Sequence, residues 1–369
     1  MRVGIDYLPA TSHFPGAGRY ARELVRALVR LDGKPEVALY EVGSAERTVP
    51  EAALGLPPGD PRVRRLRTEA SRSRLRWHPL KSRRCADLAL GGVDVFHHTS
   101  RELPRIARAA QTIAVAEIPE AGSLEEALFK RALARADGAI VFGPTCAKRL
   151  EVHYGFPRER VHVVAVGCDH WRRDLASPPA REEIPRILAL GALRKGRRTL
   201  RLLKAFERLV DDGLTAHLHL VGGPGEEERD FMSLAKASHV HLRVVRETAL
   251  PEAELAALVA RSSVLVHLVD DAETPVTPLE AFSFGTAVVA SRLPVFEEAL
   301  GGLAQFVDNA KVDHASDFLT DAIAAAIASA RDPRACQARV RHAGQYTWER
   351  NARETVAAWE AVLAGREKY

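Results

Sequence analysis

The sequence predicts two doubly wound parallel-sheet α/β domains joined by one short connection. Three observations carry the prediction. The chain has 369 residues, too many for one compact core and suited to two domains of about 150–180 residues. Short, apolar, β-branched runs alternate with amphipathic stretches along its length, the pattern of strands buried on both faces. The alternation breaks once, around Ser177-Pro178-Pro179, where periodicity is lost.

The first series has predicted strands at 2–6, 36–42, 93–98, 112–118, 138–142 and 161–166. A helix at 18–31 carries Tyr20, Leu24, Val25, Leu28 and Leu31 on one stripe. A second, at 145–153, takes Thr145 as its N-cap. The second series has strands at 186–190, 216–221, 239–245, 264–269, 287–291 and 305–307. Its helices are expected at 199–211, 226–236, 252–261, 278–284 and 316–330, with a terminal helix at 348–363. The expected organisation is a first domain at 1–170, a linker at 171–185, a second domain at 186–345, and a C-terminal helix, 346–369, returning to the first domain. Ligands of such sheets bind beyond the carboxyl ends of the strands, so the cleft between domains is where chemistry is expected.

Composition narrows the class. Hydrophobic residues make up 46% and charged residues 27%, which supports a packed interior. Cys85, Cys146, Cys168 and Cys336 form no C-x-x-C pair, so they read as reduced thiols, and a zinc site would need closer ligands. The opening Arg-Val-Gly-Ile-Asp reads as a strand rather than a signal peptide, and the apolar runs are too short to span a bilayer. A cytoplasmic protein is expected, at most peripheral to the inner membrane face. Net charge is +5 with His neutral. Residues 62–84 carry ten Arg and Lys against one acid, Glu69. That stretch is either a solvated basic face or an attractor for an anionic surface or acceptor, such as acidic lipid or a phosphorylated glycan carrier. No nucleic-acid-binding motif accompanies it.

Three motifs bear on chemistry. Gly16-Ala17-Gly18-Arg19-Tyr20-Ala21 opens a helix, where glycines admit close backbone approach and a helix end favours an anion. The plain alternative is a tight turn. Thr277-Pro278-Leu279-Glu280 reads either as a capping box or as a helix start whose amides hold a phosphate while Glu280 bonds a ribose diol. Arg194-Lys195-Gly196-Arg197-Arg198 follows a strand, where its cations would neutralise a diphosphate or simply face solvent.

Taken in order, these residues resemble the retaining glycosyltransferase family four. The GAGRY loop resembles its N-terminal glycine loop. Val93-Asp94-Val95-Phe96-His97 resembles its D-x-x-H strand. Tyr154-Gly155-Phe156-Pro157 with Gly167-Cys168-Asp169 is similar to the segment before its linker. Pro278-Leu279-Glu280-Ala281 with Gly285-Thr286-Ala287-Val288-Val289-Ala290-Ser291 matches its P-L-E-A…G-T-P-V-V-A-S signature, and Tyr346-Thr347-Trp348-Glu349 its terminal helix start. The resemblance implies a GT-B fold of two Rossmann-like domains facing across a cleft. It also implies transfer of a sugar, with retention, from a UDP- or GDP-sugar to a glycan, lipid-linked or small-molecule acceptor, without an obligatory metal or other cofactor.

Carried over by position, Glu280 would bind ribose. Gly16, Gly18 and Thr277, with a cation from Lys195 or Arg197, would bind the donor diphosphate, and His97 and Glu117 would lie on the acceptor side. Counting back seven residues from Glu280 to the family's first glutamate lands on Ala272, so the neighbouring Glu273 is the substitute carboxylate and catalytic candidate. Ala116 stands at the family's histidine position, Ala192 at its arginine after Gly191, and Leu268-Val269 at its proline-serine. These departures leave two alternatives to the ordinary enzyme: a changed donor, or a non-catalytic GT-B scaffold serving a partner protein.

Overall fold

A computed structural model describes residues 1–11, 16–33, 35–42, 48–57, 59–60, 62–67, 85–100, 103–116, 118–175, 177–272, 274–314 and 317–366. The chain divides into two compact units: Met1–Gly167 together with Trp348–Tyr369, and Cys168–Thr347. No helix among the described residues is long and apolar enough to cross a membrane.

The first unit is built on seven parallel strands: β1 (Arg2–Asp6), β2 (Glu36–Glu41), β3 (Val63–Arg67), β4 (Val95–His98), β5 (Ala110–Val115), β6 (Gly138–Val141) and β7 (Val161–Val163). Their order is β3-β2-β1-β4-β5-β6-β7, so the strand order reverses between β1 and β4. Val3, Ile5, Val95 and Phe96 are wholly buried there, as strands covered on both faces require.

Strand β3 was not expected, because Val-Arg-Arg-Leu-Arg lacks an apolar run. Pairing to the outer edge of β2 makes it a strand. Two of its three arginines are paired locally: Arg65 donates to Glu41 at 2.6 Å and Arg67 donates to the other oxygen of Glu41 at 2.8 Å, with Glu51 meeting both. Arg62 pairs with Asp60. The start of the basic stretch is therefore an ion-paired sheet edge rather than a free cationic face; residues 68–84 lie outside the described residues.

The terminal helix, Trp348–Arg366, completes this unit's core with Trp348 at 2% and Trp359 at 0% exposure. Trp348 packs against Gly167, where a Cβ would sit 2.5 Å from the indole, so only glycine fits. Trp359 donates its indole N–H to Thr112 Oγ1 (3.1 Å), Thr112 meets His97 Nδ1 (2.9 Å), and His97 Nε2 meets the Tyr20 hydroxyl (3.1 Å).

The second unit has six parallel strands: β8 (Arg186–Leu190), β9 (His217–Val221), β10 (Val244–Glu247), β11 (Val264–His267), β12 (Ala287–Ser291) and β13 (Gln305–Val307). Their order is β10-β9-β8-β11-β12-β13, with the reversal between β8 and β11. One face is closed by the helices Thr199–Asp211 and Asp317–Arg331, whose Leu202, Phe206, Leu319 and Ile323 pack with Ile187, Leu218, Val264 and Val266. Residues 171–185, read as a linker, begin inside this unit. His170–Asp174 is a short helix, and Trp171, 2% exposed, donates its indole N–H to Glu252 at 3.2 Å.

Two caps differ from expectation. The helix Pro144–Tyr154 is capped by Gly143 with Pro144 at its first position, so Thr145 is already inside it. The helix Val276–Ser283 begins after Pro275, which puts Thr277 and Pro278 at its second and third positions. Thr277 is not an N-cap and there is no capping box. Proline at 278 is tolerated there because first-turn amides have no helical partner to lose.

Candidate active site

Open α/β sheets bind ligands where the strand order reverses, outside the carboxyl ends of the two flanking strands. In the second unit those ends are Leu190 of β8 and His267 of β11.

Beyond Leu190 the chain turns at Gly191, whose φ of +121° excludes other residues without strain. The crossing is tight. A Cβ on Gly222, just past β9, would sit 2.1 Å from the Gly191 carbonyl oxygen. The turn that follows sorts its four cations. Arg194 and Lys195 are exposed, and the Lys195 amide donates to Glu226 at 2.9 Å. Arg198 is 9% exposed and holds a left-handed φ of +51°. It donates to Asp313 (3.0 and 3.1 Å) and the Gly196 carbonyl (3.0 Å) and forms an ion pair with Asp270 (2.7 Å), which offsets the strain of that φ. Arg198 is thus a strut tying the turn to its neighbours.

Arg197 turns inward. Its guanidinium packs 3.2–3.4 Å from where a Gly191 Cβ would lie, and its Nη1 is buried without a hydrogen-bond partner among the described residues. Burial, then the charge of Arg194, holds it below the ordinary arginine value. A desolvated donor of this kind favours an incoming anion.

On the β11 side, the helix Val276–Ser283 starts with no acidic residue in its first turn. Pro278 has no N–H and the Leu279 amide bonds the Pro275 carbonyl at 3.1 Å, leaving Val276 and Thr277 as first-turn amides outside the helix ladder. One turn on, Glu280 is wholly buried, with Oε1 3.3 Å from His170 Nε2. Burial first, then Glu280 and Asp169, raise the nearby Cys168 thiol well above its usual value. His267 is 8% exposed, and its Nδ1 has no partner among the described residues. Burial chiefly, with Arg197 beside it, lowers it to about 3, Glu280 opposing, so it is a neutral imidazole. The loop after β11 is pinned by a closed set of bonds: Val269 N–H to Ser291 Oγ (2.9 Å), Ser291 Oγ to Asn309 (2.8 Å), and Asn309 Nδ2 to the Val269 carbonyl (2.7 Å).

Of the residues singled out from sequence, Arg197, Thr277 and Glu280 come to this edge. Lys195 sits on the same turn with its side chain in solvent. Gly16 (φ +86°) and Gly18 belong to the first unit, at the start of the helix Ala17–Leu28. His97 also belongs there. It is wholly buried with both ring nitrogens occupied, and burial followed by the charge of His98 lowers it to about 3. It is packed as a core histidine of the first unit. Glu117 and Glu273 lie outside the described residues. Sequence reasoning missed His267, hidden inside an apolar run, and His170, which reads as the start of a linker.

A separate cavity of about 240 Å³, lined by Lys130, Tyr154, Phe156 and Arg160 among others, belongs to the first unit. It lies beside the turn Arg158–Arg160 that precedes β7, at the amino edge of the sheet where such folds do not bind substrate.

Two parallel-sheet α/β units of this kind, with a charged edge at the strand reversal, are the architecture of GT-B glycosyltransferases. Residues 15–172 match the family model described as Glycosyltransferase Family 4, and residues 184–332 match that described as Glycosyl transferases group 1. The chain belongs to the family-four type of glycosyltransferase. No curated protein sequence matches it significantly. Among solved structures it is similar to a glycosyltransferase from Rickettsia africae (14% identity, TM-score 0.70, covering 98% of each chain). It is also similar to the sucrose-phosphate synthase of Thermosynechococcus elongatus (17%, TM-score 0.63, covering 100% of this chain and 98% of that one). A third likeness is WaaG, a glycosyltransferase involved in lipopolysaccharide biosynthesis (15%, TM-score 0.63, covering 97% and 98%). At these identities the structural likeness speaks to the fold.

Proposed function

We propose that the protein is a retaining glycosyltransferase that moves a sugar from a UDP- or GDP-sugar, bound by the second unit, to a glycan, lipid-linked or small-molecule acceptor, bound by the first. The observation that carries the reading is the buried, unpartnered Arg197 Nη1 beside the β8/β11 reversal, where the helix start at Val276 also presents its amides.

In this reading the reaction is departure of a nucleoside diphosphate from an oxocarbenium-like centre. The residues act electrostatically: Arg197 and the amides of Val276 and Thr277 bind charge that grows on the leaving phosphate, and a preorganised, desolvated donor does this without reorganising at the moment of reaction. Glu280 accepts hydrogen bonds from the ribose, and His170 at 3.3 Å holds its carboxylate in place. Glu273 is the candidate carboxylate for the donor sugar. Gly16 and Gly18 offer backbone to a phosphate from the first unit, and the cations of residues 72–84 attract an anionic acceptor or membrane surface.

Calorimetric titration with UDP and GDP, followed by donor hydrolysis with UDP- and GDP-sugars and NMR of the product's anomeric configuration, tests the proposal. Micromolar binding of one diphosphate with retained configuration supports it. A chain that binds neither, or a product of inverted configuration, refutes it.

A further inference from the structure

We infer that His267 is a further ligand-contacting residue of this site, its Nδ1 hydrogen-bonding the ribosyl-diphosphate segment between the parts held by Glu280 and by Arg197. The inference rests on the nucleotide reading above and deepens it.

Position is the first argument. The register Val266↔Ala189 sets His267 level with Leu190, one residue before Gly191, at the carboxyl end of the strand flanking the reversal. Its face is the second. Val264, Val266 and Leu268 point into the core under the helices Thr199–Asp211 and Asp317–Arg331, so His267 points to the opposite face. There its ring meets Phe296 edge-on, with centroids 5.4 Å apart at 71°.

The unpaired atoms are the third argument. Buried polar groups in native proteins are nearly always hydrogen-bonded, and each exception calls for a reason. Here two exceptions among the described residues, His267 Nδ1 at the end of β11 and Arg197 Nη1 on the turn that follows β8, lie beyond the two strands that flank one reversal point. A stability role leaves both atoms unexplained, because an apolar side chain in the Val264–Val269 run would fill the space at no such cost. A ligand lying across both strand ends satisfies them together. The imidazole stays neutral beside Arg197. Its Nδ1 can therefore donate to a phosphate oxygen or accept from a ribose hydroxyl, according to tautomer, without adding charge to the site.

The test compares UDP and GDP affinity of the full chain with that of His267→Leu, His267→Asn and Glu280→Gln, alongside thermal unfolding. His267→Leu is expected to bind about tenfold more weakly at an unlowered melting temperature, the loss of one hydrogen bond from a buried partner. His267→Asn, whose amide reaches the Nδ1 position, is expected within about threefold of wild type. In wild type, the imidazole ¹⁵N signal absent from His267→Asn should shift on adding the diphosphate, a readout that needs no folded Leu variant. Wild-type affinity in His267→Leu, or an unmoved Nδ1 signal at saturation, overturns this inference while leaving the nucleotide site standing. A wild-type chain that binds neither diphosphate overturns both.

Discussion

Arg197 and Lys195 are two residues apart, yet only one faces inward, and the site predictions follow from that difference. Arg197→Ala should weaken diphosphate binding by about 1–3 kcal/mol, because a buried charged donor is lost. Lys195→Ala, on an exposed side chain, should change it by less than about 0.5 kcal/mol. Calorimetry on the two single variants checks the assignment, and a larger loss at Lys195 reverses it. A second prediction concerns pH. His97 and His267 are lowered to about 3 and His98 to about 4, in each case chiefly by burial, against an ordinary value of 6.5. Below pH 6.5 the unfolded chain therefore binds protons the folded chain refuses, so stability is full above that pH and falls as pH drops toward 4. Each histidine contributes up to about 1.4 kcal/mol per pH unit. Urea unfolding at pH 7, 6 and 5 should show this slope, and His98→Phe should flatten it by one histidine's share.

At the level of elements, the candidate site's edge depends on how closely two connections cross. The exit of β9 passes the exit of β8 with no room for a side chain at Gly222, whereas a Cβ on Gly223 would meet nothing within 4 Å. Gly222→Ala should cost about 1–3 kcal/mol of stability and weaken diphosphate binding through displacement of Gly191 and Arg197, while Gly223→Ala should leave the affinity unchanged. Chemical denaturation paired with calorimetry reads both. The helix Val276–Ser283 shows how little of an active site is visible in local rules. Thr277-Pro278-Leu279-Glu280 satisfies every rule of a capping box, yet the helix starts two residues earlier, at Val276. Capping propensity is worth about 1 kcal/mol, and the packing of Leu279 and Phe282, both wholly buried, outweighs it. Strand β3 has the opposite cause: its three arginines give no apolar signal, and the partner acids Glu41 and Glu51 come from elsewhere in the chain.

Over the whole molecule, the second unit is an insertion within the first, because the first is finished by the helix Trp348–Arg366. The bond from Trp359 to Thr112 joins residues 247 positions apart, so the first unit's core closes only after the entire chain is available. A chain ending at Thr347 should keep a cooperative transition for the second unit and lose that of the first, since deletion of Trp348 and Trp359 removes two of its largest buried side chains, each worth about 3–5 kcal/mol. Within the full chain, Trp359→Ala should lower the first unit's stability by that amount and also remove the indole N–H that Thr112 accepts. Denaturation followed by near-ultraviolet circular dichroism distinguishes one transition from two.

The sequence by itself determined the architecture. β1, β8, β12 and β13 fall at their predicted residues; for central strands such as β1 and β12 the reason is that a strand buried on both faces must be apolar. It also determined the family, through motifs whose order is more specific than any one of them. Tertiary structure alone decided which of two neighbouring cations turns inward, and that His97 is a core residue bonded to Tyr20 and Thr112. It alone brought His170 to Glu280 and made His267 a buried neutral group at the strand reversal. Burial and unpaired atoms depend on what distant segments place around a side chain, and no local pattern of residues encodes that.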